Sequence, residues 1–218
     1  ACECRLQSDV TIEADIDEDD DARRIAVKDF DCEVTAITNL THDVKGITFK
    51  INGDTIDFQA GQYVNVNLPG VEGTRAFSIA NPPSENDKIE LQVRLVKGGK
   101  GTTYIHETLK VGDKIKISGP YGRFITRKSR GGPKLFLAGG TGVSSPRSMI
   151  LELLSEGYGE PITLVHGVRT RNDLYGFEEF SELASKHPNF TYIPALSDAE
   201  GDESWNGAKG FVHDAAKA

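Results

Sequence analysis

Two glycine-rich stretches and one arginine-bearing tetrapeptide carry the residue types that phosphate and ring recognition needs. The first stretch, Gly139-Gly140-Thr141-Gly142-Val143-Ser144-Ser145-Pro146, follows the apolar Leu135-Phe136-Leu137-Ala138 and opens a helical pattern. Glycines let backbone amides approach a pyrophosphate, and a helix N-terminus adds unsatisfied N–H groups with about half a positive charge. The stretch departs from the dinucleotide fingerprint, because Ser145 stands at the third glycine's place and no acid ends the next strand at Val165-His166-Gly167. Taken alone it fits either a nucleotide cradle or a plain tight strand–helix turn.

The second stretch, Lys97-Gly98-Gly99-Lys100-Gly101-Thr102-Thr103, also lies between a strand and a helix start. It is not a Walker A loop, since Lys100 precedes Gly101, and a structural turn is the alternative. Between the two sits Arg75-Ala76-Phe77-Ser78, ending at Asn81-Pro82-Pro83. An arginine can clamp a phosphate, an aromatic can stack on a flat ring, and a serine can hydrogen-bond a ring nitrogen. Alternation places Arg75 and Phe77 on one face and Ser78 on the other unless the strand is bulged. A surface strand with no ligand fits the same residues. Two glycine loops in one chain, one per domain, suggest two phosphate-bearing cofactors facing each other.

The elements that must hold these residues fall into two grammars. From about Phe30 to Arg127 short alternating strands at 33–37, 47–51, 63–68 and 114–117 are broken by Asn52-Gly53, Pro69-Gly70, Gly112-Asp113 and Gly119-Pro120. This spacing predicts a small antiparallel barrel. Inside it, 89–96 reads as a strand, 97–101 as a loop and 102–109 as a short helix. After Gly131-Gly132-Pro133 strands at 134–138, 162–165 and 190–194 alternate with helices. One helix begins at Ser145-Pro146, with Met149, Ile150, Leu153 and Leu154 on one face, and another spans about 173–186. That alternation predicts a parallel, doubly wound α/β domain, incomplete at its C-terminus, with a ligand crevice at the strands' carboxyl ends.

Composition bounds the rest. The 218 residues are 38% hydrophobic and 27% charged, with a net charge of −8 from 33 acids and 25 bases. Collagenous and disordered classes are excluded. No apolar run approaches the roughly 18–20 residues of a membrane helix, and no basic run could neutralise a series of phosphates, so neither membrane nor nucleic acid is an expected partner. Glu13, Asp15, Asp17, Glu18, Asp19, Asp20 and Asp21 form an acidic run read as a solvated linker. Cys2, Cys4 and Cys32 are too few and too bunched for a disulfide scaffold, and a reducing cytoplasm is expected. The five histidines, His42, His106, His166, His187 and His213, are read as surface or packing residues. Ala1 leads straight into Cys2-Glu3-Cys4, and residues 211–218 are helical in propensity without a cap; the expectation is an internal piece of a longer chain.

Arg75-Ala76-Phe77-Ser78, Gly98-Gly99-Lys100-Gly101-Thr102, Gly119-Pro120-Tyr121-Gly122-Arg123-Phe124 and Gly139-Gly140-Thr141-Gly142 stand in the order and spacing of the ferredoxin–NADP reductase superfamily. Within it, residues 74–83 and 187–196 make the chain resemble the reductase components of multicomponent phenol hydroxylases, similar to those of methane and toluene monooxygenases. The resemblance implies a [2Fe-2S] domain ahead of an FAD barrel and an NAD domain, passing electrons from NADH to a diiron hydroxylase that works on an aromatic substrate. It divides the chain into the end of the cluster domain with the acidic linker at 1–27, the FAD barrel at 28–130 and the NAD domain at 131–218.

By the same resemblance Arg75 contacts an FAD phosphate, Phe77 packs on the isoalloxazine where tyrosine is commoner, and Ser78 bonds near flavin N5. Gly101, Thr102 and Thr103 hold the FAD pyrophosphate, Arg94 joins the cofactor set, and Gly140, Thr141 and Gly142 hold the nicotinamide nucleotide. Ser78 and Thr141 are the implied catalytic pair. Arg169 and Arg171 follow the second α/β strand, where an arginine could take a 2′-phosphate. The resemblance nevertheless favours NADH, with Arg169 near the adenosine ribose or pyrophosphate. Cys2 matches the last cluster ligand, which functions in the full-length protein only, so no [2Fe-2S] cluster is expected in this chain. Two rival readings are a cluster-free ferredoxin or flavodoxin–NADP reductase and a non-enzymatic nucleotide-binding module.

Overall fold

The computed structural model describes residues 8, 9, 11, 21–199 and 201–217; the expectations attached to Cys2, Cys4 and the acids at 13–20 lie outside them. Six strands make the first sheet: β1 (Lys28–Asn39), β2 (Val44–Ile51), β3 (Tyr63–Asn67), β4 (Thr74–Ser78), β5 (Lys88–Arg94) and β6 (Lys114–Tyr121). Their order is β4-β3-β6-β1-β2-β5, and every pair is antiparallel. Just past β4 the Ala80 N–H donates to the Glu90 carbonyl at 2.8 Å, and the Glu90 N–H donates to Asn81 Oδ1 at 2.8 Å. These bonds join the two outer strands and nearly close the expected barrel. The period-2 pattern does the packing: Val34, Ile47, Phe49, Val64, Val66, Ile89, Leu91, Val93, Ile115 and Ile117 fill one core. On β5 this turns Glu90, Gln92 and Arg94 outward.

The expected helix at 102–109 begins two residues earlier, as α1 (Lys100–Thr103), and continues as one π turn, Tyr104–Thr108. The turn closes with the Leu109 N–H on the Tyr104 carbonyl at 2.9 Å, and the His106 carbonyl, left free at the helix end, accepts Lys45 Nζ at 2.7 Å.

The second sheet holds β7 (Lys134–Gly139), β8 (Ile162–Val168), β9 (Phe190–Leu196) and β10 (Ala208–Lys209), all parallel in the order β10-β9-β8-β7. Its helices are α2 (Ser144–Ser155), α3 (Phe177–Lys186) and α4 (Val212–Ala215). The helix expected from 173 starts only at Phe177, since Gly176 adopts φ 71° and Thr170 with Asp173 caps a separate short turn. Among the described residues no helix is long and apolar enough to cross a membrane.

The first turns of α2 grip the barrel. Ser144 Oγ lies 2.8 Å from Gln92 Oε1, Ser148 Oγ donates to the Asn81 carbonyl at 2.7 Å, and Arg147 reaches the Ala80 carbonyl at 2.7 Å, Glu90 at 3.2 Å and Glu179 at 2.7 Å. Gly61, with φ 97°, lies beneath α2; a Cβ there would sit 2.0 Å from Met149 Cε and 2.2 Å from the Phe124 carbonyl oxygen.

Candidate functional site

A cavity of about 210 Å³ opens at the carboxyl ends of β7 and β8. Gly139, Gly140 and Thr141 form one wall, Gly167 to Arg169 another, Phe211 and Val212 a third, and the barrel contributes Arg94 and Asp43. Apart from the adjoining backbone, positions 139, 140 and 142 have no protein atom within 4 Å of where a Cβ would stand. Packing therefore demands no glycine there; Gly140 alone is required by its φ of 51°. The bare backbone leaves room for a ligand, which is the fit a pyrophosphate needs. The alternation rule found this crevice, at the carboxyl ends of parallel strands.

Arg94 Nε pairs with Asp43 at 2.6 Å. Burial pushes the Asp43 carboxyl up, but bonds from Arg94 and Thr41 outweigh it and hold the group below the ordinary carboxylate range. Arg169 lines the cavity, whereas Arg171 is committed to Asp202 at 2.9 Å and stacks over Trp205 at 5.4 Å. Asp173 joins Asp43 in the cavity wall. The sequence reading looked for an acid at the end of β8 and found none; the acids come instead from the β1–β2 turn and the capped turn after β8.

Beneath the loop lies His166, fully buried in β8. Its Nε2 is 3.1 Å from the Gly140 carbonyl oxygen, and its ring meets Tyr175 edge-on with centroids 5.7 Å apart. Desolvation pulls its pKa down to about 4, so the ring is neutral near pH 7 and the carbonyl contact places the proton on Nε2. Nδ1 is buried with no hydrogen-bond partner among the described residues.

The other expected residues gather on the barrel side. Gly101 lies directly against Arg75: a Cβ on Gly101 would stand 2.7 Å from Arg75 Cγ. Arg75 Nη1 donates to the Glu72 and Thr74 carbonyls at 3.1 and 2.9 Å, which sets the guanidinium beside the glycine loop. β3 and β4 pair without a register shift, Val66 opposite Arg75, Val64 opposite Phe77 and Tyr63 opposite Ser78. Arg75 and Phe77 thus share a face and Ser78 takes the other, as alternation requires. Phe77 is half-buried and packs with Tyr104 on the barrel core. The Thr102 hydroxyl accepts the Val96 N–H at 3.1 Å and lies 3.1 Å from the Gly99 carbonyl, so it shapes the loop itself. The Thr103 N–H donates to the Gly99 carbonyl at 2.9 Å.

Residues 31–125 match the oxidoreductase FAD-binding domain and residues 136–218 the oxidoreductase NAD-binding domain. The chain belongs to the ferredoxin–NADP reductase superfamily. It is 54% identical over 218 residues to the reductase component of phenol 2-monooxygenase, DmpP, from Pseudomonas sp. (strain CF600), covering 100% of this chain and 62% of that one. A phenol hydroxylase P5 protein of Acinetobacter pittii is 50% identical over 215 residues, covering 99% and 61%. Among solved structures, the Amycolatopsis reductase GcoB superposes with a TM-score of 0.82 at 33% identity, covering 90% of this chain and 60% of that one. The chain thus spans about three fifths of the length of these relatives. As a member of this superfamily it carries an FAD-binding and an NAD-binding domain, and the two loops read from the sequence fall one in each.

Three features escaped the sequence reading: Asp43 with Asp173, Gln92, and the structural duty of His166. Only Gln92 left a signal, as the middle of the outward series Glu90, Gln92 and Arg94 on an otherwise buried strand.

Proposed function

We propose that this chain is the flavin- and nicotinamide-binding part of a phenol hydroxylase reductase, with FAD on the barrel at 28–130 and NADH on the α/β unit at 131–218. The observation that carries the reading is the meeting of two cradles around the end of β5. Arg94 closes that strand in the wall of the nucleotide cavity, and three residues later begins the loop whose Gly101 backs onto Arg75.

A bound FAD would supply the means to accept a hydride and release its electrons singly. The chain's own residues bind and orient. Arg75 supplies a fork of donors to a phosphate, with the Gly101-to-Thr103 backbone beside it. Phe77 offers a ring face, and Ser78, on the opposite face but at the last position of β4, offers a hydroxyl at the strand's end for the flavin N5 region, with Thr141 assigned to the nicotinamide side of the transfer. Gly140, Thr141 and Gly142 receive the dinucleotide pyrophosphate, and Arg169 lies toward its adenosine half. Neutral, buried His166 has no part in proton transfer. NADH is the coenzyme of this reading; equal turnover of NADPH by the full-length protein would overturn that assignment.

In the full-length protein Cys2 would be the fourth ligand of a [2Fe-2S] cluster, which would supply single-electron transfer toward a diiron hydroxylase acting on an aromatic substrate. The decisive experiment on this chain is its visible spectrum with FAD added, before and after anaerobic NADH. Flavin bands that bleach support the reading. A preparation that stays colourless after FAD and gel filtration rejects it and favours a nucleotide-binding module.

A further inference from the structure

Hydride transfer requires the nicotinamide and flavin rings to be held within about 3–3.5 Å, and a misplacement of about 1 Å can cost about 100-fold in rate. The nucleotide loop 140–144 and the flavin barrel belong to different sheets, so some contact must set the distance between them. The loop is held at both ends. At its start, the Gly140 carbonyl receives His166 Nε2–H at 3.1 Å while Gly140 itself sits at φ 51°. At its end, the Ser144 hydroxyl shares its one proton between the Thr141 carbonyl at 2.9 Å and Gln92 Oε1 at 2.8 Å.

Gln92 also receives the Tyr175 hydroxyl at 3.3 Å, and Tyr175 is the residue whose ring meets His166 edge-on. Both grips therefore converge on one barrel side chain. Among the described residues, Gln92 is the barrel side chain that hydrogen-bonds within 140–144. Its neighbours on the same face reach elsewhere, Glu90 to Arg147 and Arg94 to Asp43.

We infer that Gln92 and His166 are positioning residues for hydride transfer, His166 by fixing the backbone of the nucleotide loop and Gln92 by fixing that loop's place relative to the flavin barrel. The inference rests on the function proposed above and divides the two duties. Losing the His166 bond loosens the cradle and weakens binding. Losing the Gln92 bonds leaves the cradle intact but displaces it from the flavin.

The test pairs isothermal titration of ADP-ribose into the cofactor-free chain with stopped-flow bleaching of the FAD-loaded chain by NADH. His166→Leu should weaken ADP-ribose binding about tenfold, and His166→Gln, which keeps an N–H donor, should restore it to within about threefold. Gln92→Leu should bind ADP-ribose within about threefold of wild type yet bleach at least about tenfold more slowly at saturating NADH. Gln92→Glu, which keeps the acceptor, should bleach near the wild-type rate. If Gln92→Leu does not fold, the double variant Ser144→Ala/Tyr175→Phe removes both donors while leaving Gln92 in place, and the same slow bleaching is expected. A wild-type limiting rate in either, or wild-type ADP-ribose affinity in His166→Leu, overturns the inference. So does a parallel loss of binding, rate and FAD content, which would mark a merely structural role. Should the wild-type chain hold FAD but fail to bleach, the function reading fails instead. Hydrogen exchange of the 140–144 amides in the cofactor-free chain then decides: faster exchange in His166→Leu with a wild-type rate in Gln92→Leu supports the division of duties, and a wild-type rate in His166→Leu removes it.

Discussion

At the scale of single residues, His166 shows what burial does to an ionisable group beside a backbone carbonyl. Its folded pKa of about 4 lies below the ordinary value of 6.5. Between those values the unfolded chain binds the proton and the folded chain does not, so stability rises with pH across that window. The contribution is fully present above pH 6.5, shrinks as pH falls, and is lost below about 4. A shift of that size corresponds to about 3 kcal/mol. Urea unfolding at pH 7.5 and pH 5 should therefore show a lower midpoint at pH 5, and His166→Gln should lose most of that difference. An equal pH dependence in the variant would place the titration on other groups. Cys32 shows the same desolvation acting on a thiol: burial, reinforced by Asp31, pushes it up to about 12. It is a packing residue of the barrel core.

At the scale of elements, the flavin cradle depends on one close approach. A methyl on Gly101 would meet Arg75 Cγ at 2.7 Å, near the root of that side chain, so relief requires Arg75 to change its χ1 rotamer, which carries the guanidinium away from the loop. Gly101→Ala should thus fold normally and bind FAD about tenfold more weakly, with Arg75→Ala weaker still, since a charge-assisted bond contributes about 1.5–3 kcal/mol. Fluorescence titration of FAD checks both, and unaltered affinity in Arg75→Ala would remove Arg75 from the phosphate site. Most of these elements were legible, because period-2 burial on β2, β3 and β5 and the Ser145-Pro146 helix start are written locally. What escaped was set by distant partners. The two-residue β10 has no pattern of its own and exists because Trp205 Nε1 bonds the Ala208 carbonyl and Ala208 lies beside Ala195. The late start of α3 at Phe177 goes with the left-handed φ of Gly176. In the candidate site the loops were readable as glycine strings. Asp43 and Asp173 were not, since two acids 130 positions apart meet only once the sheets have docked.

At the scale of the whole molecule, the two sheets act together through Arg147. Burial works against its charge, yet bonds to Glu179 and Glu90 outweigh that and raise its pKa. The one guanidinium ties α2 to α3 and to the end of β4 through the Ala80 carbonyl. Arg147→Met keeps much of the volume but strands two carboxylates and a carbonyl. Removing one partner of a fully buried pair costs about 3–5 kcal/mol, and here the loss should be about 2–3 kcal/mol because Glu179 keeps access to water. Trp205, the single tryptophan, lies in the α/β half and reports that half alone, while far-ultraviolet circular dichroism reports both. In wild type the two probes should follow one urea transition, since α2 bonds to Gly61, Ala80, Asn81, Glu90 and Gln92 across the interface. In Arg147→Met the tryptophan transition should move to lower urea and part from the dichroism curve. Coincident curves in the variant would mean that the serine bonds of α2 suffice to couple the halves. Separate curves in wild type would mean that the halves unfold independently, and a fixed distance between nucleotide loop and flavin barrel would then need a source other than this interface.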